Sequence, residues 1–190
     1  MSIQDVAAYF DGQAALWDAR MVRNERILNI ILDTAGVKAG ADVLDIACGT
    51  GVLVPEYQKR QVRSVTGIDI SPAMIAQAKK KYPDVCFLVG DAAKADYGQL
   101  FDAAVVYNAL PHFEDPSELI AHTVRYLKQG GRLTIAHGSS RETVNARHRN
   151  SGISQPLIRA EELADIMRAY LTVTDILSNE EMYLVSGYLI

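Results

Sequence analysis

Cysteine is scarce: Cys48 and Cys86 are the two in 190 residues. They show no Cys-x-x-Cys or Cys/His ligand spacing, which excludes a thiolate zinc cluster and a disulfide framework. Both lie in or beside apolar runs, as reduced core thiols do. Basic residues are not in excess. Lys and Arg total 19 against 23 Asp and Glu, a net charge of −4, so the basic face that grips a phosphate backbone is missing and no nucleic-acid partner is expected. Long apolar runs are missing too. None approaches the roughly 18 residues that cross a bilayer, so no membrane partner is expected. The residues Ser2-Ile3-Gln4-Asp5 lack the basic-then-apolar order of a secretory leader, and the expectation is a cytoplasmic protein.

What is present is ordinary globular composition, 49% hydrophobic and 22% charged, read as one domain over 1–190. Residues 1–40 read as a helical cap. Ile27, Leu28, Ile31, Leu32 and Ala35 recur on one helical face, with Gly36 closing it. Val6, Tyr9, Phe10, Ala14 and Trp17 suggest a shorter amphipathic helix. Strands and helices then alternate. Strands are expected at 42–47, 62–69, 85–89, 101–107 and 132–137, and helices at 51–59, 71–81 and from Asp115-Pro116 to Gly130-Gly131. A polar stretch, 138–156, precedes a helix at 160–170 and two strands near 171–177 and 182–190. The short link between those two requires an antiparallel hairpin. This alternation specifies an α/β fold, a doubly wound, mostly parallel sheet covered on both faces, with ligands at the carboxyl ends of the strands.

The first strand runs into Asp45-Ile46-Ala47-Cys48-Gly49-Thr50-Gly51, and Asp69 follows twenty positions after Gly49. A glycine turn opening a helix, then an acid closing the next strand, is the arrangement that binds a nucleoside cofactor. The dinucleotide form of this turn has a third glycine, where this chain has Val54. Asp45 beside the turn would also repel a pyrophosphate. A cofactor with a cationic centre and an amino group suits a carboxylate there, and S-adenosylmethionine is such a molecule.

At these residues the chain resembles the class I S-adenosylmethionine-dependent methyltransferases of small-molecule type. Val43 to Gly51 is similar to their first motif, Gly67-Ile68-Asp69-Ile70-Ser71 to the second, and Gly90-Asp91-Ala92 to the third. Phe101 to Asn108 is similar to the fourth, and Leu127-Lys128-Gln129-Gly130-Gly131-Arg132-Leu133 to the turn before the fifth strand. The resemblance spans about 43–137. It implies a Rossmann-like, seven-stranded sheet in the order 3-2-1-4-5-7-6 with strand 7 antiparallel. It also implies cofactor contacts from Asp45, Ala47, Gly49, Gly51, Asp69, Ile70, Asp91, Ala92, Tyr107 and Asn108. Asp69 would take the ribose hydroxyls, and Asp91 would face the adenine amino group. Plainer readings stand beside these: Asp69 as a surface acid, Asp45 as a cap on its own loop, Asp91 as turn chemistry and Ile70 as core. Tyr9-Phe10 to Trp17-Asp18 is similar to the N-terminal helix that closes over the cofactor in small-molecule members.

The acceptor end is less determined. His112 and His148 are the candidate general bases, because imidazole titrates near neutrality. Ser140 would cap a short helix from Arg141, and 138–158 would form a substrate lid. Arg141, Arg149, His137 and Trp17 are candidate substrate contacts, and the arginines suggest an anionic acceptor. The alternative is a solvated surface helix. No metal is expected, since His112, His137 and His148 lack ligand spacing. The Asn-Pro-Pro-aromatic signature of base methylation is replaced by Asn108-Ala109-Leu110-Pro111, which favours a small-molecule acceptor. The resulting reading is in-line methyl transfer from S-adenosylmethionine, leaving S-adenosylhomocysteine. Its rivals are a non-catalytic S-adenosylmethionine binder and a nicotinamide-dependent oxidoreductase. Oligomeric state is not encoded in any readable feature.

Overall fold

The computed structural model describes residues 2–149 and 151–190. Seven strands form one sheet: β1 (Asp42–Ile46), β2 (Ser64–Asp69), β3 (Cys86–Val89), β4 (Phe101–Tyr107), β5 (Leu127–His137), β6 (Thr172–Ser178) and β7 (Tyr183–Tyr188), ordered β3-β2-β1-β4-β5-β7-β6. The first five run parallel, and β7 runs antiparallel to both β5 and β6. The order reverses at β1, so β1 and β4 diverge at their carboxyl ends and leave a crevice there.

All five residues of β1 are buried because both faces are covered. Leu44 and Ile46 pack with Ala104, Val106, Leu133 and Ile135 beneath α6 (Pro116–Val124) and α8 (Ala160–Arg168). Val43 faces the other way, with Ala103 and Val105, against α3 (Glu25–Thr34) and α4 (Val54–Lys59). Leu28 and Leu32 of α3 and Leu53 and Tyr57 beside or within α4 complete that layer. The period of two in the strands thus decides which side chain meets which helix layer.

The capping residues are local and regular. Ser71 accepts from the Met74 amide and opens α5 (Pro72–Lys81), with Pro72 at the first position and three lysines at the end. Ser2 and Asp5 form a reciprocal capping box on α1 (Ile3–Gln13). A 3₁₀ turn at Ala14–Leu16 leads to the single-turn α2 (Trp17–Arg20). Ser140 accepts from the Thr143 amide and opens α7 (Arg141–His148).

One expected boundary fails. The helix expected to run to Gly130-Gly131 ends at Val124, and Leu127 is already paired with Phe101 in β5. Gly130 takes a left-handed turn (φ 75°) and Gly131 serves strand packing. A Cβ at Gly131 would stand 2.8 Å from the Lys128 carbonyl oxygen and 2.9 Å from that of Phe101.

Candidate active site

The site grows from the turn after β1. Ala47 (φ 54°), Gly49 (φ 56°) and Gly51 (φ 78°) all adopt left-handed backbone there, which bends the chain sharply after the strand. Asp69 clamps the turn. Its Oδ2 accepts from the Gly49 amide at 2.8 Å and its Oδ1 from the Ser71 amide at 2.9 Å. One carboxylate therefore fixes the glycine turn and the start of α5 together. Burial raises its pKa, and the two amides partly oppose that.

Asp45 is 2% exposed, and its Oδ2 has no hydrogen-bond partner. Burial, reinforced by the Asp69 charge, pushes its carboxyl up to about 8, against the opposing effect of the Tyr57 hydroxyl. An unpartnered carboxyl oxygen this deep is costly unless something arrives to use it.

Both acids wall a cavity of about 490 Å³ at the carboxyl ends of the strands. Ala47 and Gly49 line it from the turn, Ile70 from the end of β2, Asp91 and Ala92 from beyond β3, and Tyr107 and Asn108 from β4. Gly51 sits behind the wall, where it gives room to the Tyr82 ring. Asp91 accepts from the Ala93 amide at 2.9 Å and pairs with Lys94 at 3.4 Å. Among the described wall residues, Lys94 is the one lysine or arginine. Asn108 has φ 56° and accepts from the Gly138 amide at 2.9 Å. Gly138 is required beside it, because a Cβ there would lie 2.6 Å from the Tyr107 hydroxyl.

The N-terminal segment forms the roof. Val6, Phe10, Trp17 and Met21 line the cavity from above. Two carboxylates pin this strap. Asp11 accepts from the Ser71 hydroxyl at 2.5 Å and the Ala73 amide at 3.0 Å. Asp18 accepts from the Thr50 hydroxyl at 2.5 Å and Lys81 at 2.7 Å. Beyond the strap, Arg23 pairs at 2.7 Å with Glu56, a nearly buried side chain. These pins lie far apart in sequence, and no pattern in the chain announced them.

An aromatic row crosses the acceptor side. Trp17 meets Phe10 edge-on with centroids 5.6 Å apart, Phe10 meets His112 at 4.9 Å, and His112 meets His148 at 5.3 Å. His112 lines the cavity and places Nδ1 2.9 Å from the Ile153 carbonyl oxygen. A carbonyl only accepts, so Nδ1 carries the proton and the neutral ring keeps its lone pair on Nε2. Burial lowers the His112 pKa, which favours that neutral form. His148 places its own Nδ1 2.9 Å from the Val144 carbonyl oxygen, but lies behind His112, off the cavity wall.

The other expected substrate contacts lie elsewhere. His137 is 2% exposed and stands edge-on to Tyr183 across the β5–β7 pair; burial pushes it down to about 3. Arg141 donates Nε to the Leu157 carbonyl at 2.9 Å, and Asn145 holds the Leu157 amide at 2.6 Å. That face of α7 therefore fastens the segment before α8. Arg149 is exposed at the end of α7, and neither arginine walls the cavity. The described residues contain no cluster able to hold a metal and no helix long and apolar enough to cross a membrane.

A family described as methyltransferase domain matches residues 43–131. A demethylmenaquinone methyltransferase of Renibacterium salmoninarum is 31% identical over 141 residues, 71% of this chain and 59% of the relative. One from Paenarthrobacter aurescens is 33% identical over 141 residues, 71% of this chain and 55% of the relative. The crystal structure of the N-methyltransferase NodS from Bradyrhizobium japonicum WM9 with S-adenosylhomocysteine superposes with a TM-score of 0.75 at 19% identity, covering 97% of this chain and 98% of that one. Residues 43–131 of this chain therefore carry a methyltransferase domain. The chain spans little more than half the length of the two curated relatives. The family's cofactor is S-adenosylmethionine, and the donor set fits it. The unpartnered Asp45 oxygen suits a cation, Asp69 retains lone pairs for hydroxyl donors, and no cationic cluster awaits a pyrophosphate.

Proposed function

We propose that this protein transfers a methyl group from S-adenosylmethionine to a small, uncharged acceptor carrying an ionisable proton. The observation that carries the reading is one cavity wall shared by Asp45, Asp69 and His112. Bound S-adenosylmethionine supplies the electrophilic methyl group and its own leaving group. Asp45 holds the amino end of the cofactor. Asp69 accepts from the ribose hydroxyls while keeping its grip on Gly49 and Ser71. Ile70, Asp91 and Ala92 border the adenine. Tyr107 and Asn108 border the methionine end.

Methyl transfer by in-line displacement asks the protein chiefly for alignment and dryness. The strap carrying Phe10 and Trp17 covers the cavity and excludes water. His112 takes the acceptor's proton at Nε2, its ring held by the Ile153 carbonyl. His148 backs that ring edge-on and closes the far side. An anionic acceptor is disfavoured, because the wall presents six carboxyl side chains and a lysine already paired to one of them. The named activity of the two curated relatives is consistent with a flat, apolar acceptor lying against Phe10, Trp17 and Phe113.

Titration calorimetry with S-adenosylmethionine and S-adenosylhomocysteine, set against NADH, tests the cofactor. Production of S-adenosylhomocysteine with a panel of hydroquinones, phenols and amines tests the reaction. Cofactor binding without turnover on any of them would leave a binding protein, and tight NADH binding alone would remove the whole reading.

A further inference from the structure

We infer that Tyr57, which lies outside the cavity, is a positioning residue for Asp45 and sets how readily that carboxyl accepts the charge a cationic cofactor requires. The inference rests on the proposed cofactor role of Asp45. Val43 and Asp45 alternate onto the face of β1 that α4 covers, and Tyr57 is the aromatic residue of that layer, packed with Val43, Leu53, Ala103 and Val105. Tyr57 is 0% exposed, and its hydroxyl completes no hydrogen bond, as is true of Asp45 Oδ2. A ring that only filled space would serve as well without the oxygen, and a stranded hydroxyl in an apolar layer is unfavourable. The oxygen is accounted for if it serves the carboxyl beside it.

Three groups bear on Asp45. Asp69, from the end of β2, opposes its ionisation; the Tyr57 hydroxyl, from α4, favours it; the Cys48 thiol of the turn is itself held neutral by burial and by the two acids. Arg60, one turn further along, partly offsets the effect of burial on the Tyr57 hydroxyl. With its carboxyl pushed up to about 8, Asp45 is mostly protonated at neutral pH. Seating an ammonium or sulfonium group beside it expels that proton. The Tyr57 O–H, unpartnered while Asp45 is protonated, would then turn to donate to the carboxylate and lower the cost of this step without touching the cofactor.

Calorimetry of S-adenosylhomocysteine and S-adenosylmethionine binding between pH 6 and 9, in two buffers of different ionisation heat, counts the released proton. Tyr57→Phe should bind about tenfold more weakly at neutral pH, with the rising limb of affinity displaced upward by about one pH unit. Urea melts of the cofactor-free variant should show stability equal to or above wild type, because a stranded hydroxyl is gone. Asp45→Asn should flatten the limb. An unmoved limb in Tyr57→Phe overturns the inference. So does an equal loss of affinity at every pH with lowered stability, which is packing damage. Wild-type protein that binds neither ligand would remove the cofactor reading, and this inference with it.

Discussion

Asp11 reaches across from the roof helix to accept the hydroxyl of Ser71, the residue that caps α5 and follows the cofactor-side Asp69. The same Asp11 oxygen also takes the Ala73 amide. The roof is thus fastened to the loop over which the ribose would lie. Asp11→Ala removes both bonds while leaving the cavity wall intact. Net values near 1 kcal/mol per bond predict cofactor dissociation faster by about thirtyfold, with little change in the association rate. Stopped-flow fluorescence of Trp17, the one tryptophan, measures both.

Asp69→Asn should be more severe. An amide presents an NH₂ to either the Gly49 or the Ser71 N–H, so two donors face one another in a buried place. Cofactor affinity should fall about a hundredfold, and the cofactor-free protein should lose about 1–3 kcal/mol. Calorimetry and chemical melts check the two effects separately.

Two buried acids make stability depend on pH in opposite senses. Asp42 is held well below the ordinary carboxyl range by Arg63, helped by Lys128 and Ser64. Its stabilisation is complete above about pH 4 and is lost as pH falls through and below that value. Asp45 is raised to about 8, so the unfolded chain ionises first and stability declines between about pH 4 and pH 8. The cofactor-free protein should therefore be most stable near about pH 4 and lose stability steadily above it. Urea melts should show the alkaline decline vanish in Asp45→Asn and the acid decline shrink in Asp42→Asn.

His112→Gln keeps a polar side chain in the wall but no base. Turnover of a protonated acceptor should fall by about 10²–10⁴. Binding of S-adenosylhomocysteine should stay within about twofold, because the loss lies in the chemical step. A variant with unchanged turnover number would take His112 out of the proton transfer.

The parts of this fold that could be read from the chain are those written in contiguous residues. The glycine turn, Asp69 after the second strand, and the serine caps at positions 71 and 140 are each short strings whose neighbours in space are their neighbours in sequence. His137 was misplaced for a reason of parity. It ends β5 at the cavity edge, but it shares its face of the strand with Leu133 and Ile135, four and two residues back, and so its ring turns into the layer they share with Tyr183. Gly130-Gly131 resembles a helix stop, and the crowding by the Phe101 carbonyl that makes Gly131 necessary comes from another strand. Arg141 looks like an anion ligand until Leu157, sixteen residues on, supplies the carbonyl it holds. The Asp11 and Asp18 pins span 60 and 32 residues to their hydroxyl partners, distances over which no periodicity speaks.

The two-point fastening of the N-terminal strap also constrains the order of events in a catalytic cycle. Its pins, Asp11 and Asp18, grip Ser71 and Thr50, and those residues belong to the loops that would enclose the nucleoside. Under the proposed activity, release of spent cofactor would require both fastenings to part, whereas an acceptor arriving past Phe10 and His112 would disturb neither. If the proposed transfer is the activity, the expected order is donor on first and demethylated donor off last, and product-inhibition patterns would check it.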